Sequence, residues 1–171
     1  AYFSLDTDQI TNLEAEAARQ GWQVIAIDGK TVNYMVLNLN LEPLNNKAVR
    51  QALASIIDRK LLNERVLQGK GEPVYSLIPK EFDGYKPVFK ENYGDGNFEK
   101  AKELLKEAGY SRNSPAKIEI WYAANSTKRQ LTASTLKASV EQKLEGLMEL
   151  ELKSVEAATA FQNLDKGVYQ T

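Results

Sequence analysis

The stretch KIEIWYAANSTKRQLTASTLKASVEQKLEGLMELELK, residues 117–153, decides the fold class of this chain. It opens on the alternating segment 117–122 and closes on a second alternating segment, 148–153, and both are typical of half-buried strands. Between them lies a long helical series that begins after Asn125-Ser126-Thr127 and ends at Gly146. A strand, a helix and a second strand in this order predict a parallel pair joined by a right-handed crossover.

Helical patterns flank this unit on both sides. On its N-terminal side we predict helices over residues 8–20, 47–57, 59–67 and 98–108, and on its C-terminal side a helix over 156–165. Two further strands are predicted, over residues 22–27 and 32–39, with a turn at Asp28-Gly29. Residues 69–96 carry three prolines and five aromatic residues, which predicts a long ordered loop rather than a flexible linker.

Composition excludes several classes of function. The chain has 171 residues with 22 basic and 23 acidic side chains, so it lacks the strong positive charge of a nucleic-acid-binding domain. It has no cysteine and no histidine, which excludes a Ser-His-Asp triad, a thiolate nucleophile and a zinc–thiolate site. We expect no metal site and no cofactor. No apolar run approaches the roughly 20 residues that a membrane span needs.

Several segments between residues 33 and 110 form a recognisable pattern. Residues 33–40 (NYMVLNLN) lead into 43–53 (PLNNKAVRQAL) and 57–60 (IDRK). Residues 66–79 and the predicted helix 98–110 (FEKAKELLKEAGY) follow in the same order. Together these segments resemble the family 5 bacterial extracellular solute-binding proteins, the peptide-, oligopeptide- and nickel-binding components of ABC transporters.

The resemblance implies a fold and an organisation for the chain. The fold class would be α/β (mixed α+β), a lobe like those of type II periplasmic binding proteins, with a central mixed sheet flanked by helices and one long ordered loop. Residues 1–32 would be the tail end of a first lobe and the approach to a hinge. Residues 33–171 would be part of the C-terminal lobe, in a chain that reads as a trimmed piece of something longer.

The resemblance also implies a function. The protein would be the substrate-binding component of an importer, located outside the cytoplasm, with a peptide or other small solute and the transporter's membrane subunits as partners. A carboxylate- and tyrosine-dependent hydrolase or transferase, and a sensory or interaction module built on the same lobe, stay open as alternatives. The hydrolase would need two acidic residues converging in one pocket.

Five residues are the candidates for a ligand cleft: Tyr34, Asn38, Asn40, Tyr122 and Asn125. An asparagine offers both a donor and an acceptor to a peptide backbone, although Asn38 can equally satisfy neighbouring backbone groups. Tyr122 and Asn125 follow a strand, where ligands of open α/β sheets usually bind.

Three other prominent residues are assigned to the architecture of the lobe. Arg50 and Asp58 are expected to order the helices around them by capping or by an ion pair. Trp121 is expected in the core.

Overall fold

The computed structural model describes residue 5, residues 7–25 and residues 31–171. Helices dominate this part of the chain, and a small sheet lies among them, which confirms the α/β class. The elements in chain order are α1 (Thr7–Gln20), α2 (Lys47–Ile56), α3 (Arg59–Leu67), α4 (Val88–Tyr93), α5 (Phe98–Glu107), β1 (Ala116–Ala123), α6 (Thr127–Lys143), β2 (Met148–Val155) and α7 (Ala157–Leu164).

Strands β1 and β2 pair in parallel, as the sequence predicts. The register runs from Ala116 opposite Met148 to Ala123 opposite Val155, and α6 connects the two strands. Alternation decides which face is covered, because successive side chains of a strand point to opposite faces. Ile118 and Ile120 of β1 are therefore buried on the face that carries the core.

One hydrophobic core joins this pair to the helices. Helices α2 and α5 pack against each other, and α6 packs on both strands. The buried side chains that make up this core are Leu44, Val49, Ala52, Leu53, Ile56, Phe98, Ala101, Leu105, Ala116, Ile118, Ile120, Ala133, Leu136, Val140, Leu144, Leu147, Met148 and Leu150.

Short polar side chains begin the helices where the sequence predicts them. Asp58 caps α3 by accepting a hydrogen bond from the backbone N–H of Leu61 at 2.9 Å. Ser126 caps α6 in the same manner. The guanidinium of Arg50 donates to the carbonyls of Leu44 and Asn45, so it orders the turn that enters α2. The architectural assignment of Arg50 and Asp58 is thus confirmed.

The two predicted N-terminal strands differ from the structure. Residues 31–38 form no paired strand, and neither do 22–25, while 26–27 and the Asp28-Gly29 turn lie outside the described residues. A strand exists only through hydrogen bonds to a neighbouring strand, and local sequence does not supply that neighbour. The described sheet is consequently a parallel pair, β1 and β2, smaller than the mixed sheet that we predicted.

Trp121 corrects a second prediction. It lies on the face of β1 opposite Ile118 and Ile120, outside the core, because it is an odd number of positions from them. Its ring stacks on Tyr169 with centroids 4.6 Å apart, and its indole N–H donates to Glu119 at 2.8 Å.

The long loop is ordered by an arginine, and it contains the short helix α4, which the sequence did not predict. The guanidinium of Arg59 donates to the Val74 carbonyl at 2.8 Å and forms an ion pair with Asp95 at 3.2 Å. It also lies 4.8 Å from the centre of the Tyr75 ring, and the Tyr75 hydroxyl donates to Asp95. Burial, and then the negative charge of Asp95, raises the pKa of Tyr75 above its ordinary value.

We expect Gly96→Ala to destabilise the lobe by about 2–3 kcal/mol, which urea unfolding would measure. Gly96 has a φ of +64°, and an added Cβ would lie 3.2 Å from Cβ and Oδ2 of Asp58. The displaced Asp58 would also lose part of its capping bond to α3.

Gly109→Ala is the matched control for this prediction. Gly109 has a φ of +88°, but nothing lies within 4 Å of an added Cβ. It should therefore cost only about 1 kcal/mol for the backbone conformation. Equal losses in the two variants would contradict the steric argument at Asp58.

Candidate functional site

Asn38 is held entirely by backbone groups of its own chain. Its side-chain N–H groups donate to the carbonyls of Gly167 at 2.9 Å and Tyr169 at 3.1 Å. Its side-chain oxygen accepts from the N–H of Asn40 at 3.0 Å, and its own N–H donates to the Gln170 carbonyl at 2.8 Å. Of the two roles considered for Asn38, the structure therefore shows the one in which it satisfies neighbouring backbone. A ligand contact stays a prediction.

Tyr34 and Asn40 lie on either side of Asn38 and are both exposed. Met35 and Leu37 pack against the core from this segment, whereas Tyr34 and Val36 are 70% and 48% exposed. The segment thus alternates like a strand, with one side on the core and the other facing outward, although no strand pairs with it in the described part of the chain. Its outward side is available to a ligand or to further protein.

Tyr122 and Asn125 lie at the carboxyl end of β1. Tyr122 is partly buried and packs against the core, beside Ser154 of β2. Asn125 is exposed and directly precedes Ser126, the N-cap of the 17-residue helix α6. The end of the strand and the start of a helix therefore meet here, as predicted, and the free N–H groups of such a helix start favour anionic groups.

The five candidates lie on two separate stretches of the chain, residues 34–40 and residues 122–125. Asn38 and Asn40 are joined by a hydrogen bond, and Tyr34 precedes them on the same segment. No hydrogen bond described in residues 31–171 joins this group to Tyr122 or Asn125. None of the five lines either of the two described cavities, of ≈ 430 and ≈ 1240 Å³.

Sequence reasoning missed the residues that cover the outer edge of β1. The side-chain oxygen of Gln170 accepts from the N–H of Glu119 at 2.6 Å, and the hydroxyl of Thr171 accepts from the N–H of Trp121 at 3.1 Å. Tyr169, only 7% exposed, packs on Trp121 beside them. A polar pair after a tyrosine carries no periodicity, so only the spatial arrangement reveals its role.

Carboxylates on the exposed face of the strand pair accept a hydrogen bond or form an ion pair with a lysine. Glu119 accepts from the Trp121 indole, Glu151 binds Lys153, and Glu149 lies 3.6 Å from Lys117. A general acid needs a carboxyl that is kept protonated by burial or by a second carboxylate. Hydrogen bonding to Lys102 instead lowers the pKa of Glu145 on the same side of the lobe. Acidic side chains, among them Glu119, Glu149 and Glu151, do line the ≈ 1240 Å³ cavity, but each of the three already binds a partner, so the surface does not favour the hydrolase alternative.

Among residues 5, 7–25 and 31–171, no group of three or more acidic residues is placed to hold a metal ion. None of the helices described there has both the length and the apolar character to cross a membrane.

Comparison with known proteins gives one family. The sequence model described as "Bacterial extracellular solute-binding proteins, family 5 Middle" matches residues 3–171, which is nearly the whole chain. The same region therefore carries both the fold described above and the likeness to the family.

Individual relatives agree with the family match. The chain is 30% identical over 141 residues to the periplasmic oligopeptide-binding protein OppA of Haemophilus influenzae, covering 78% of this chain and 25% of that protein. The crystal structure of Haemophilus influenzae OppA with the peptide RPPGFSPFR matches with a TM-score of 0.69 at 27% identity, over 78% of this chain and 27% of that one. Staphylococcus aureus NikA in complex with Ni(L-His)2 matches with a TM-score of 0.64 at 25% identity, over 78% and 27% of the two chains. The chain thus spans about a quarter of the length of these relatives.

Proposed function

Since the chain belongs to the family 5 bacterial extracellular solute-binding proteins, we propose that it is part of the substrate-binding component of an ABC-type importer. Its solute would be peptide-like and would be captured outside the cytoplasm. The observation that carries this proposal is the family match over residues 3–171. The likeness in fold to a relative that was crystallised with a nonapeptide supports it.

The proposed mechanism is enclosure between two lobes. Residues from about 33 onward belong to one lobe, and residues 1–32 lead to it from the other through a hinge. The exposed hydroxyl and amide groups of Tyr34, Asn40 and Asn125 offer donors and acceptors to a peptide backbone. The lobes would close over the solute by hinge motion, and the closed form would dock on the membrane subunits of the importer. No cofactor takes part.

Ligands that copurify with the complete protein would test the solute class. We expect mass spectrometry to identify peptides that are released from the complete protein. The same peptides should bind again to protein from which the ligand has been removed by unfolding and refolding. The same stripped protein without added peptide is the control. Bound molecules of another chemical class, or turnover of the added peptide, would contradict the proposal.

An uptake experiment separates import from sensing. Cells should lose accumulation of a labelled copurifying peptide when the gene is deleted, and should regain it with the intact gene. Unchanged accumulation alongside an altered transcriptional response would favour the sensory alternative.

The 171-residue chain by itself should bind the copurifying peptides more weakly than about 1 µM in calorimetry, because one lobe offers only one wall of the cleft. The complete protein under the same conditions is the control. Sub-micromolar binding by the 171-residue chain would refute enclosure between two lobes.

A further inference from the structure

Two side-chain amides connect three separate segments beside the outer edge of β1. We call the pair Asn38 and Gln170 the amide clasp. The side-chain nitrogen of Gln170 donates to the Glu42 carbonyl at 2.6 Å, while its oxygen accepts from the N–H of Glu119 at 2.6 Å. Gln170 thus connects the backbone at Glu42 to strand β1.

Asn38 completes the clasp from the other side. It binds the carbonyls of Gly167 and Tyr169 through its side chain, and that of Gln170 through its backbone N–H. Both hydrogens of its amide group are therefore used by backbone acceptors. A residue whose role was to donate to a ligand would have to break one of these bonds first.

The acceptors of the Asn38 amide group belong to residues 167–169, which are held by other contacts in the lobe. Tyr169 is 7% exposed, stacks on Trp121, and accepts a hydrogen bond on its hydroxyl from Asn163 at 3.1 Å. Gly167 has a φ of +64°, and a Cβ there would lie 3.6 Å from the Asn38 nitrogen. The Tyr169 carbonyl is consequently held by packing, whereas the exposed Gly167 is held by the hydrogen bond from its N–H to the Leu164 carbonyl at 3.0 Å. Asn38 connects segment 31–37 to both carbonyls.

Among the described residues, segment 31–37 forms no strand ladder, so the hydrogen bonds of Asn38 are the directional contacts described next to it. Met35 and Leu37 pack on the core, but such contacts are not directional. The hydrogen bonds of Asn38 set the angle at which the segment leaves the lobe. That angle decides where the exposed Tyr34 ring is presented.

We propose that Asn38 is a positioning residue, not a ligand contact: through the backbone of Gly167 and Tyr169 it fixes the direction of segment 31–37, and thereby sets the affinity of the cleft. The affinity part rests on the proposed function. The positioning part does not, because it concerns the protein without ligand.

The decisive variant is Asn38→Asp in the complete protein. It keeps the size of the side chain but replaces both donor hydrogens by an acceptor that faces two carbonyls. Without ligand, we expect the hydrogen-bonded backbone amides of residues 38, 41, 167 and 168 to exchange hydrogen about tenfold faster or more, as follows from the loss of two hydrogen bonds. Affinity for the copurifying peptide should fall by a similar factor.

Two other variants serve as a control and as a second test of the amide clasp. Asn113→Asp makes the same change at an exposed position of the same lobe, between Ser111 and Ser114, and should alter neither measurement. Gln170→Glu keeps the acceptor for Glu119 and loses only the donor to Glu42, so faster exchange should centre on the hydrogen-bonded amides of residues 38–41. This variant also tests the clasp if Asn38→Asp does not fold.

The outcomes separate the two proposals. Unchanged exchange in Asn38→Asp together with weakened peptide binding would overturn the positioning role and make Asn38 a direct ligand contact. Unchanged exchange with unchanged binding would overturn it as well. Faster exchange in a protein that binds no peptide at all would support the clasp while refuting the proposed solute class.

Discussion

Ile118→Ala should lower the free energy of unfolding by about 2–5 kcal/mol, the range for truncating a fully buried branched side chain. Ile118 is 1% exposed, in the middle of β1, and it pairs with Leu150 across the strand pair. The substitution removes apolar contacts and leaves a cavity between the sheet and its helices, because close-packed neighbours relax only partly. Urea unfolding of the 171-residue chain, followed by tryptophan fluorescence and circular dichroism, measures the loss.

Two matched variants test the cavity argument. Ile118→Val removes one methylene group and should cost about 1 kcal/mol. Ile78→Ala makes the larger change in the long loop, at a side chain that is 41% exposed, and should cost less than about 1 kcal/mol. If Ile118→Ala cost no more than Ile78→Ala, the core that we describe around β1 would be wrong.

Asp95→Ala should destabilise the protein by about 2–3 kcal/mol, somewhat less than the ~3–5 kcal/mol cost of breaking a fully buried ion pair, because the site keeps some exposure to solvent. The side chains of Arg59 and Asp95 are only 15% and 18% exposed. Without Asp95, the Arg59 charge keeps the carbonyls of Val74 and Ile57 but has lost its counter-ion, and the Tyr75 hydroxyl loses its acceptor. Residues 69–96 should then become the first site of limited proteolysis.

An exposed ion pair supplies the control for this prediction. Lys117 and Glu149 lie 3.6 Å apart, and their side chains are 74% and 58% exposed. Glu149→Ala should change stability by no more than about 0.5 kcal/mol, because water and salt screen such pairs. A loss at Asp95 as small as that at Glu149 would mean that the arginine does not order the loop.

Local signals in the sequence predicted the helices well. Asp58 and Ser126 begin α3 and α6 as predicted, since a cap needs only a polar side chain and the N–H groups two or three residues away. The parallel pair was predicted because both strands have clear alternation and a helix between them. Helix α4 was missed because it has only six residues and no side-chain cap.

The predictions that failed concern features that depend on contacts with distant parts of the chain. Segment 32–39 has the composition of a strand, yet pairing requires a neighbour that its own residues do not encode. The candidate site shows the same limit at Asn38. The side chain of Asn38 uses both its donor and its acceptor groups, as the residue type suggests. The carbonyls that its amide binds, those of Gly167 and Tyr169, lie about 130 positions away in the sequence.

The attachment of α1 has a thermodynamic consequence. Its described polar contacts with the lobe are made to the turn after α3: Asp8 and Thr11 bind Gln68, and Glu14 binds Lys70 at 2.6 Å. None of the α1 side chains that the structure describes is fully buried. Ile10, Leu13 and Ala17 are only partly buried, so separating α1 would expose less apolar surface than releasing a core helix, with a smaller heat-capacity change and a weaker dependence on urea. It should depend clearly on ionic strength, because salt screens the Glu14–Lys70 pair. In the two-lobed arrangement that we propose, where α1 belongs to the other lobe, such a contact would open and close at little cost.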